Sequence, residues 1–299
     1  MELLQLRYFQ TVARLEHMTK AAEALRVAQP ALSKTIARLE TELGVPLFDR
    51  NRRQIRLNAY GRAFLAKVDA ALSALEEGRR EVADLAGTER GSLALATTTL
   101  GRLTPALIAF RARYPEVRFR IVQLAPSATG ELARMLENGD ADLAFTAASL
   151  ERVGIREQPV LNAEVRLAVP PGHRLQGRRA IRLSEVAAEP FIEYREGHPF
   201  RAANESFRRK AGIRPPIVCE VDEPEALAHL VRAGLGVAFV PVCREEGDAG
   251  LTLLRIEEPE CRRIFVAVSS ERRYLSRAAR AFQQFLVQFY EGQPAAAGR

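Results

Sequence analysis

Gln29, Ser33, Lys34 and Arg38 recur at intervals of four, one and four residues, which places them on one face of a helix at 3.6 residues per turn. On a helix laid in a DNA major groove each has a partner. Glutamine can bond adenine N6 and N7 together, serine donates or accepts, and lysine reaches guanine O6/N7 or a phosphate. Any solvated helix face would look the same, so these residues alone leave both readings open. Arg50, Arg52, Arg53 and Arg56, interleaved with Ile55 and Leu57, form a second set. They read as a short hairpin whose basic tip would lie against phosphates or in a minor groove, or as a solvated basic turn. A third set is rich in hydroxyls. Thr97, Thr98 and Thr99 follow an apolar run and precede a helical one, and Ser127 and Thr129 precede another. Hydroxyls beside a helix N-terminus suit a carboxylate or phosphate, because free N–H groups and the helix dipole point there; they would equally serve as caps. Tyr194, Arg195, His198 and Phe200 fall on a corresponding junction, where Arg195 or His198 would suit an anionic ligand.

Catalytic patterns are missing. The chain has no GxSxG, no GxGxxG at a strand–helix turn, no phosphate-loop motif and no HExxH, so neither an enzyme nor a cofactor is expected. Cys219, Cys243 and Cys261 stand 24 and 18 residues apart, and His17, His173, His198 and His229 are scattered, which is no metal-site spacing. Reduced, buried thiols are the expectation, with a redox role as the alternative. No apolar run approaches the ~18 residues of a membrane span. The opening MELLQLRYFQ lacks the basic-then-apolar layout of a signal peptide, so a cytoplasmic protein with no membrane partner is expected. The net charge is +7, and residues 1–58 carry ten Arg or Lys against six Asp or Glu. That excess favours a polyanion but is too modest to identify one.

The elements that must position these groups follow from periodicity. Leu3, Leu6, Phe9, Val12, Ala13 and Leu15 mark an amphipathic helix over residues 3–15. Thr19 would cap a short second helix through Lys20, Ala21, Ala22 and Leu25, and Pro30 would open a third that runs to about Thr41, with Ala31, Ile36, Leu39 and Leu43 inward. Two short helices joined by a brief turn make a helix-turn-helix, whose close crossing the Ala21–Ala22 pair would permit. Residues 1–58 are thus expected to be a winged helix-turn-helix domain, with Thr19, Lys20, Gln29, Pro30, Ser33, Lys34, Arg38, Arg50, Arg52 and Arg53 toward DNA.

Over residues 59–88, Leu65, Val68, Leu72, Leu75, Arg79, Val82 and Ala86 step by threes and fours, a heptad seam. It predicts a linker helix that dimerises through Leu65, Val68, Leu72, Leu75 and Val82, or one that packs the stripe on its own chain. Beyond Gly91, candidate strands (92–96, 117–123, 143–146, 165–169, 191–194, 218–221, 237–240, 264–268) alternate with candidate helices (103–114, 130–138, 201–210, 223–233, 275–289). That alternation predicts parallel sheets covered by helices, in an α/β domain over 91–294 ahead of a flexible tail at 292–299. In such folds ligands sit beyond the carboxyl ends of strands.

The run Leu6-Arg7-Tyr8-Phe9, Thr19-Lys20-Ala21-Ala22, Ala28-Gln29-Pro30-Ala31-Leu32-Ser33, Ile36-Ala37-Arg38-Leu39-Glu40, Leu43 to Arg50 and Leu57-Asn58-Ala59-Tyr60-Gly61 resembles the LysR-type transcriptional regulators without a gap. Arg52 stands where that family often has Gly, and Lys34 where Arg is frequent. Leu103-Thr104-Pro105, Phe110 with Tyr114-Pro115, Gly139 to Ala144 and Val231 to Pro241 are similar to that family's effector domain, which is itself similar to periplasmic solute-binding proteins. The resemblance implies two Rossmann-like lobes, the first about 91–162 with 268–291 and the second about 163–267, hinged by two crossover strands. It implies base contacts for Gln29, Pro30, Ser33 and Lys34 and backbone or minor-groove contacts for Arg50 and Arg53, with Thr98 and Thr129 as the best-matched effector contacts. The implied partners are promoter DNA, a second copy in a homodimer or homotetramer, a small-molecule effector and RNA polymerase.

Overall fold

The computed structural model describes residues 1–51, 54–86, 91–242 and 251–291, with the side chains at 50, 51 and 54 outside the description as well. The chain divides into two compact units, Met1–Thr88 and Glu89–Arg299.

The first unit runs α1 (Leu3–Leu15), α2 (Met18–Leu25), α3 (Gln29–Leu43), β1 (Phe48–Asn51), β2 (Gln54–Leu57) and α4 (Ala59–Leu85). α2 begins before Thr19, because the His17 imidazole takes the capping role: its Nδ1 accepts from the Lys20 N–H at 3.3 Å, which leaves Thr19 inside the first turn. Ala21 and Ala22 are buried where α2 meets α1 and α3, as the close crossing requires. α3 ends at Gly44, whose φ of 74° is the left-handed conformation glycine adopts without strain. Phe9, Val12, Leu32, Ile36, Leu39, Leu47 and Val68 build the core. Ala31 is exposed, against expectation. Leu32 takes the inward position, and Leu32, Ile36 and Leu39 then step by four and three along one face.

β1 and β2 pair antiparallel from Phe48↔Leu57 to Asn51↔Gln54. The chain passes straight from this hairpin into α4, whose N-cap Asn58 accepts from the Gly61 N–H at 2.8 Å and donates from its amide to Pro46 O at 2.8 Å. Gly61 is buried so tightly that an added Cβ would lie 2.1 Å from the Leu47 carbonyl oxygen. The stripe along α4 is divided. Leu65, Val68 and Leu72 pack into the core of their own unit, while Leu75 and Val82 are exposed, as is Leu85.

The second unit contains β3 (Ser92–Thr97), α5 (Leu100–Arg113), β4 (Arg118–Gln123), α6 (Thr129–Asn138), β5 (Leu143–Thr146), β6 (Ile155–Val169), β7 (Ala180–Arg182), a 3₁₀ turn (Leu183–Val186), β8 (Phe191–Tyr194), α7 (Pro199–Lys210), β9 (Ile217–Val221), α8 (Pro224–Arg232), β10 (Ala238–Val242), β11 (Thr252–Glu258), β12 (Arg262–Ser270) and α9 (Arg277–Glu291). The alternation of strand and helix holds, but the sheets are mixed rather than parallel. β3 pairs parallel with β4 and β5, and β8 parallel with β9; β12 runs antiparallel to β5 and β6, and β6 antiparallel to β10 and β11. β7 and β11 were not expected: β7 is only three residues long, and β11 carries charged residues at alternate outward positions. β6 is far longer than its apolar stretch, because Arg156, Glu157 and Gln158 occupy ladder positions against β12.

β6 joins two cores. Val160 and Ala163 belong to one with Leu93, Leu103, Phe110, Phe145 and Phe282. Val165, Leu167 and Val169 belong to another with Ile181, Phe191, Phe207, Phe239 and Leu254. β12 likewise spans the change, pairing with β5 at Val266–Val268 and with the middle of β6 at Arg262–Phe265.

Candidate nucleic-acid interface and effector cavity

In the first unit, the start of α2 and the start of α3 present Thr19, Lys20, Gln29, Pro30 and Lys34 to solvent, with Ser33 half-buried beside them. The N-cap of α3, Ala28, makes no side-chain cap bond, and Pro30 in the first turn has no N–H to satisfy. The remaining free N–H groups and the positive end of the dipole therefore face outward with Gln29 and Ser33, an arrangement suited to a phosphate. Arg38 is on the same helix but is engaged elsewhere, 3.3 Å from Glu42 and 3.7 Å from Glu2. Arg52, Arg53 and the side chain of Arg50 lie outside the described residues. Arg56, across the hairpin from Asp49, is exposed on the described part of the wing.

In the second unit, a cavity of about 450 Å³ opens at the carboxyl ends of β3 and β8, next to the first turns of α5 and α8. That volume is within the range of small-molecule sites. Of the residues expected there, Thr98, Thr99, Tyr194 and Phe200 line it. The Thr98 hydroxyl is 3.0 Å from that of Thr146. Thr99 is the N-cap of α5 yet makes no cap bond, and its Oγ1 is buried without a partner among the described residues. Thr97 is completely buried: its hydroxyl donates to Phe145 O at 2.9 Å and accepts from the Thr99 N–H at 3.0 Å, so it holds the β3–α5 corner. Ser127 is exposed and Thr129 half-buried, and neither lines the cavity or caps α6, whose N-cap is Ala128.

The two expected sources of positive charge also fall elsewhere. Arg195 is ion-paired with Asp222 and does not line the cavity. His198 is buried, its ring stacked on Tyr194 at 4.2 Å, with Nδ1 accepting the Phe200 N–H at 3.1 Å as the N-cap of α7. Burial and the nearby Arg263 lower its pKa to about 4, so it is neutral at physiological pH. The cations that do line the cavity are Arg102, on the first turn of α5, and Arg232, near the end of α8. Arg102 reaches across to donate to the Pro241 carbonyl, and Tyr290 donates to the Arg102 carbonyl. Glu223 and Glu225 face the cavity too, and Glu223 is held more protonated than usual by burial and by Glu225 and Asp222. Sequence patterns did not bring these residues together as a site, nor Phe239, Phe265 and Phe289, because they come from separate elements that only folding brings together.

Burial pushes the Tyr194 hydroxyl up to about 12, so it stays a donor. Burial also pushes the Cys261 thiol up to about 12, which removes thiolate reactivity there. Cys219 is half-buried on β9, and Cys243 lies outside the described residues. No group of metal-ligating side chains, and no helix long and apolar enough to cross a membrane, occurs among the described residues.

Comparison with known proteins is concordant over the whole chain. Residues 3–62 match the bacterial regulatory helix-turn-helix protein model of the lysR family, and residues 86–291 match the LysR substrate binding domain. An uncharacterised helix-turn-helix regulator of Bacillus subtilis, YybE, is 38% identical over 97% of this chain and 99% of its own length. The transcriptional dual regulator GltC of the same organism is 31% identical over 97% and 98%. A full-length OxyR variant from Pseudomonas aeruginosa superposes with a TM-score of 0.72 at 24% identity, covering 99% of this chain and 96% of that one. CbnR in complex with its target DNA superposes with a TM-score of 0.70 at 25% identity, covering 97% and 100%. With its helix-turn-helix head and effector-binding domain, the chain belongs to the LysR family of DNA-binding transcriptional regulators, and it is not an enzyme.

Proposed function

We propose that a small anionic effector occupies the cavity between β3–α5 and β8–α8 and thereby alters how the regulator binds or bends promoter DNA. The observation that carries this reading is the cavity itself. Beyond the carboxyl ends of parallel strands it gathers an unsatisfied Thr99 hydroxyl, the uncapped first turn of α5, and the guanidiniums of Arg102 and Arg232. Arg102 spans from α5 to β10, so a ligand that competes for its donors would favour one arrangement of these elements over another. Only a ligand with different affinities for two arrangements can shift them.

On the DNA side, Gln29, Pro30, Ser33 and Lys34 approach bases, while Thr19, Lys20, Arg50, Arg52 and Arg53 contact backbone or minor groove. The protein acts in the cytoplasm as a homodimer or homotetramer. Two recognition helices then enter successive major-groove faces, one helical turn or a multiple apart, and effector-dependent spacing or bending controls access of RNA polymerase. Exposed Leu75 and Val82, seven residues apart on α4, support a paired helix over its second half.

The test is DNA-binding anisotropy on promoter fragments recovered by genome-wide mapping, titrated with a panel of small organic acids. A member of the panel should change DNA affinity or bend for the wild type and require about fivefold more ligand to do so with Thr98→Val. A response identical in both proteins, or none in the wild type, would sink the assignment of the cavity.

A further inference from the structure

Behind the Tyr194–Phe200 wall of the cavity lies a charge imbalance. Glu193 is completely buried and accepts from Asn204 Nδ2 at 2.7 Å and from Arg208. Asn204 in turn accepts from Arg263 Nη2 at 3.0 Å. Arg263, on β12 two residues before the cavity-lining Phe265, is 4% exposed, and its guanidinium carbon lies over Phe200, 3.9 Å from the ring centroid. Its Nε and Nη1 are buried with no partner among the described residues.

The single carboxylate of Glu193 is paired with Arg208 and also faces Arg263, one negative charge for two guanidiniums, so Arg263 has in direct contact only a phenyl face and one neutral acceptor. His198 supplies no negative charge, and Tyr194 keeps its proton. The burial cost shows in Arg263 itself, pushed down to about 10 by desolvation first, which Tyr194 and Glu193 only partly offset and Arg102 reinforces. An uncompensated buried cation is costly, and native folds rarely keep one without a counter-charge. Here the wall in front of the cation belongs to a cavity whose other lining includes the rings of Phe239, Phe265, Phe289 and Tyr290 and the aliphatic groups of Leu100, Leu227 and Leu253, beside the carboxyls of Glu223 and Glu225. Tyr194 is itself buried, its hydroxyl makes no hydrogen bond to a described residue, and it lines that cavity.

We propose that Arg263 is the buried counter-charge for the effector, so that the cavity takes a small carboxylate on an apolar, ring-sized body, its acid group drawn to the Tyr194–Phe200 wall. This rests on the reading of the cavity as the effector site and adds the residue that sets its charge preference. Tyr194 donates to the carboxylate directly, and Arg263 acts from behind through its field, reinforced by Arg102 from α5.

The experiment compares benzoate with its neutral isostere benzamide, and with inorganic phosphate, on the full-length chain by calorimetry and thermal shift. The wild type should bind benzoate with a rise in melting temperature and bind benzamide and phosphate far more weakly. Arg263→Met should weaken benzoate by about 30-fold or more and abolish the preference over benzamide. Its unliganded melting temperature should be no lower than the wild type's, because a lone buried charge has been removed. A merely structural arginine would give the opposite pair of results, a lower melting temperature with the preference intact, and that overturns the proposal. If Arg263→Met does not fold, Arg263→Lys decides: it keeps the charge and should keep the preference for benzoate, and its loss in a folded protein also overturns the proposal. Equal binding of benzoate and benzamide by the wild type removes the anchor but leaves an effector cavity. Equal binding of phosphate removes the apolar-body assignment. If neither benzoate, benzamide nor any acid of the earlier panel binds, both readings fall together.

Discussion

The head and the effector domain of this regulator place their chemistry in opposite ways. Every described residue proposed to face DNA comes from 16 consecutive positions, Thr19 to Lys34, and from one adjoining hairpin. The groups around the cavity come from the β3–α5 junction, α5, β4, β8, α7, α8, β10, β11, β12 and α9, which span nearly two hundred residues. A helix that reads a groove needs only its own periodicity and a neighbour to pack against. A cavity is instead what several separate strand ends leave between them, and its chemistry depends on which ends the topology brings close. The head thus needs one small core behind one surface, while the effector domain has a long strand, β6, shared by two cores.

The largest effect that tests this contrast is on DNA. Gln29→Ala with Ser33→Ala should remove specific binding: base contacts are worth about 1–3 kcal/mol each, so the pair should cost roughly 2–6 kcal/mol at physiological salt while non-specific binding persists. Retention of specific shifts on a mapped promoter fragment would show that the head reads DNA with another surface. Next is Gly61→Val. The added carbon atoms collide with the Leu47 carbonyl, a backbone atom that cannot turn aside, and a loss of about 3 kcal/mol in stability of the first unit is expected from overpacking of this kind. Denaturation followed by a probe in that unit checks it. A loss within error would mean that the entry into α4 is not rigid.

The same contrast explains what the sequence disclosed. The helix-turn-helix was legible because Ala21-Ala22, Ile36 and Leu39 write a local pattern, and the errors there were small. His17 replaced Thr19 as cap, and Leu32 replaced Ala31 in the core. In the α4 stripe the period was legible but the partner was not. Val68 is as regular as Val82, yet one is buried by Phe9 and Phe64 on the chain's own first unit while the other is exposed. In the effector domain, Thr98, Thr99, Tyr194 and Phe200 were legible because strand–helix junctions are local. Arg195 and His198, expected to suit an anionic ligand, do not line the cavity, since a counter-ion at Asp222 and a stacked Tyr194 cannot be inferred from neighbours in sequence. Arg102 and Arg263 carried no local signal, and the family-like stretch Val231 to Pro241 marked Arg232 without marking it as a cavity cation.

The neutral state of His198 gives a pH test confined to the second unit. Its folded pKa of about 4 lies below the ordinary value of 6.5, so between those values the unfolded chain binds the extra proton. Stability from this group is therefore complete above about pH 6.5, declines as pH falls through that window and levels off below about 4. His198→Asn, which keeps an acceptor for the Phe200 N–H, should flatten the melting temperature over that window relative to the wild type. Parallel curves would show that His198 is already charged, and the field in the cavity would need reassigning. Smaller still is Thr98→Val, which breaks one hydroxyl pair with Thr146. About 1 kcal/mol of effector affinity should go with it, measured by calorimetry, with little change in DNA binding by the unliganded protein.

The finest distinction lies within α3 itself, between Lys34 and Arg38. Both are exposed cations on the expected DNA face, but Arg38 is held by Glu42 and Glu2, and Lys34 has no ion pair to a described residue. A cation that neutralises a phosphate releases counterions, and removing it lowers the slope of log K against log salt by about 0.9. Lys34→Ala should show that change. Arg38→Ala should leave the slope nearly unaltered, because its charge is already offset by two carboxylates that stay behind when DNA arrives. Salt titrations of both variants on one promoter fragment decide the matter: equal slope losses would mean that DNA draws Arg38 away from Glu42, and that the ion pairs of the free head do not survive binding.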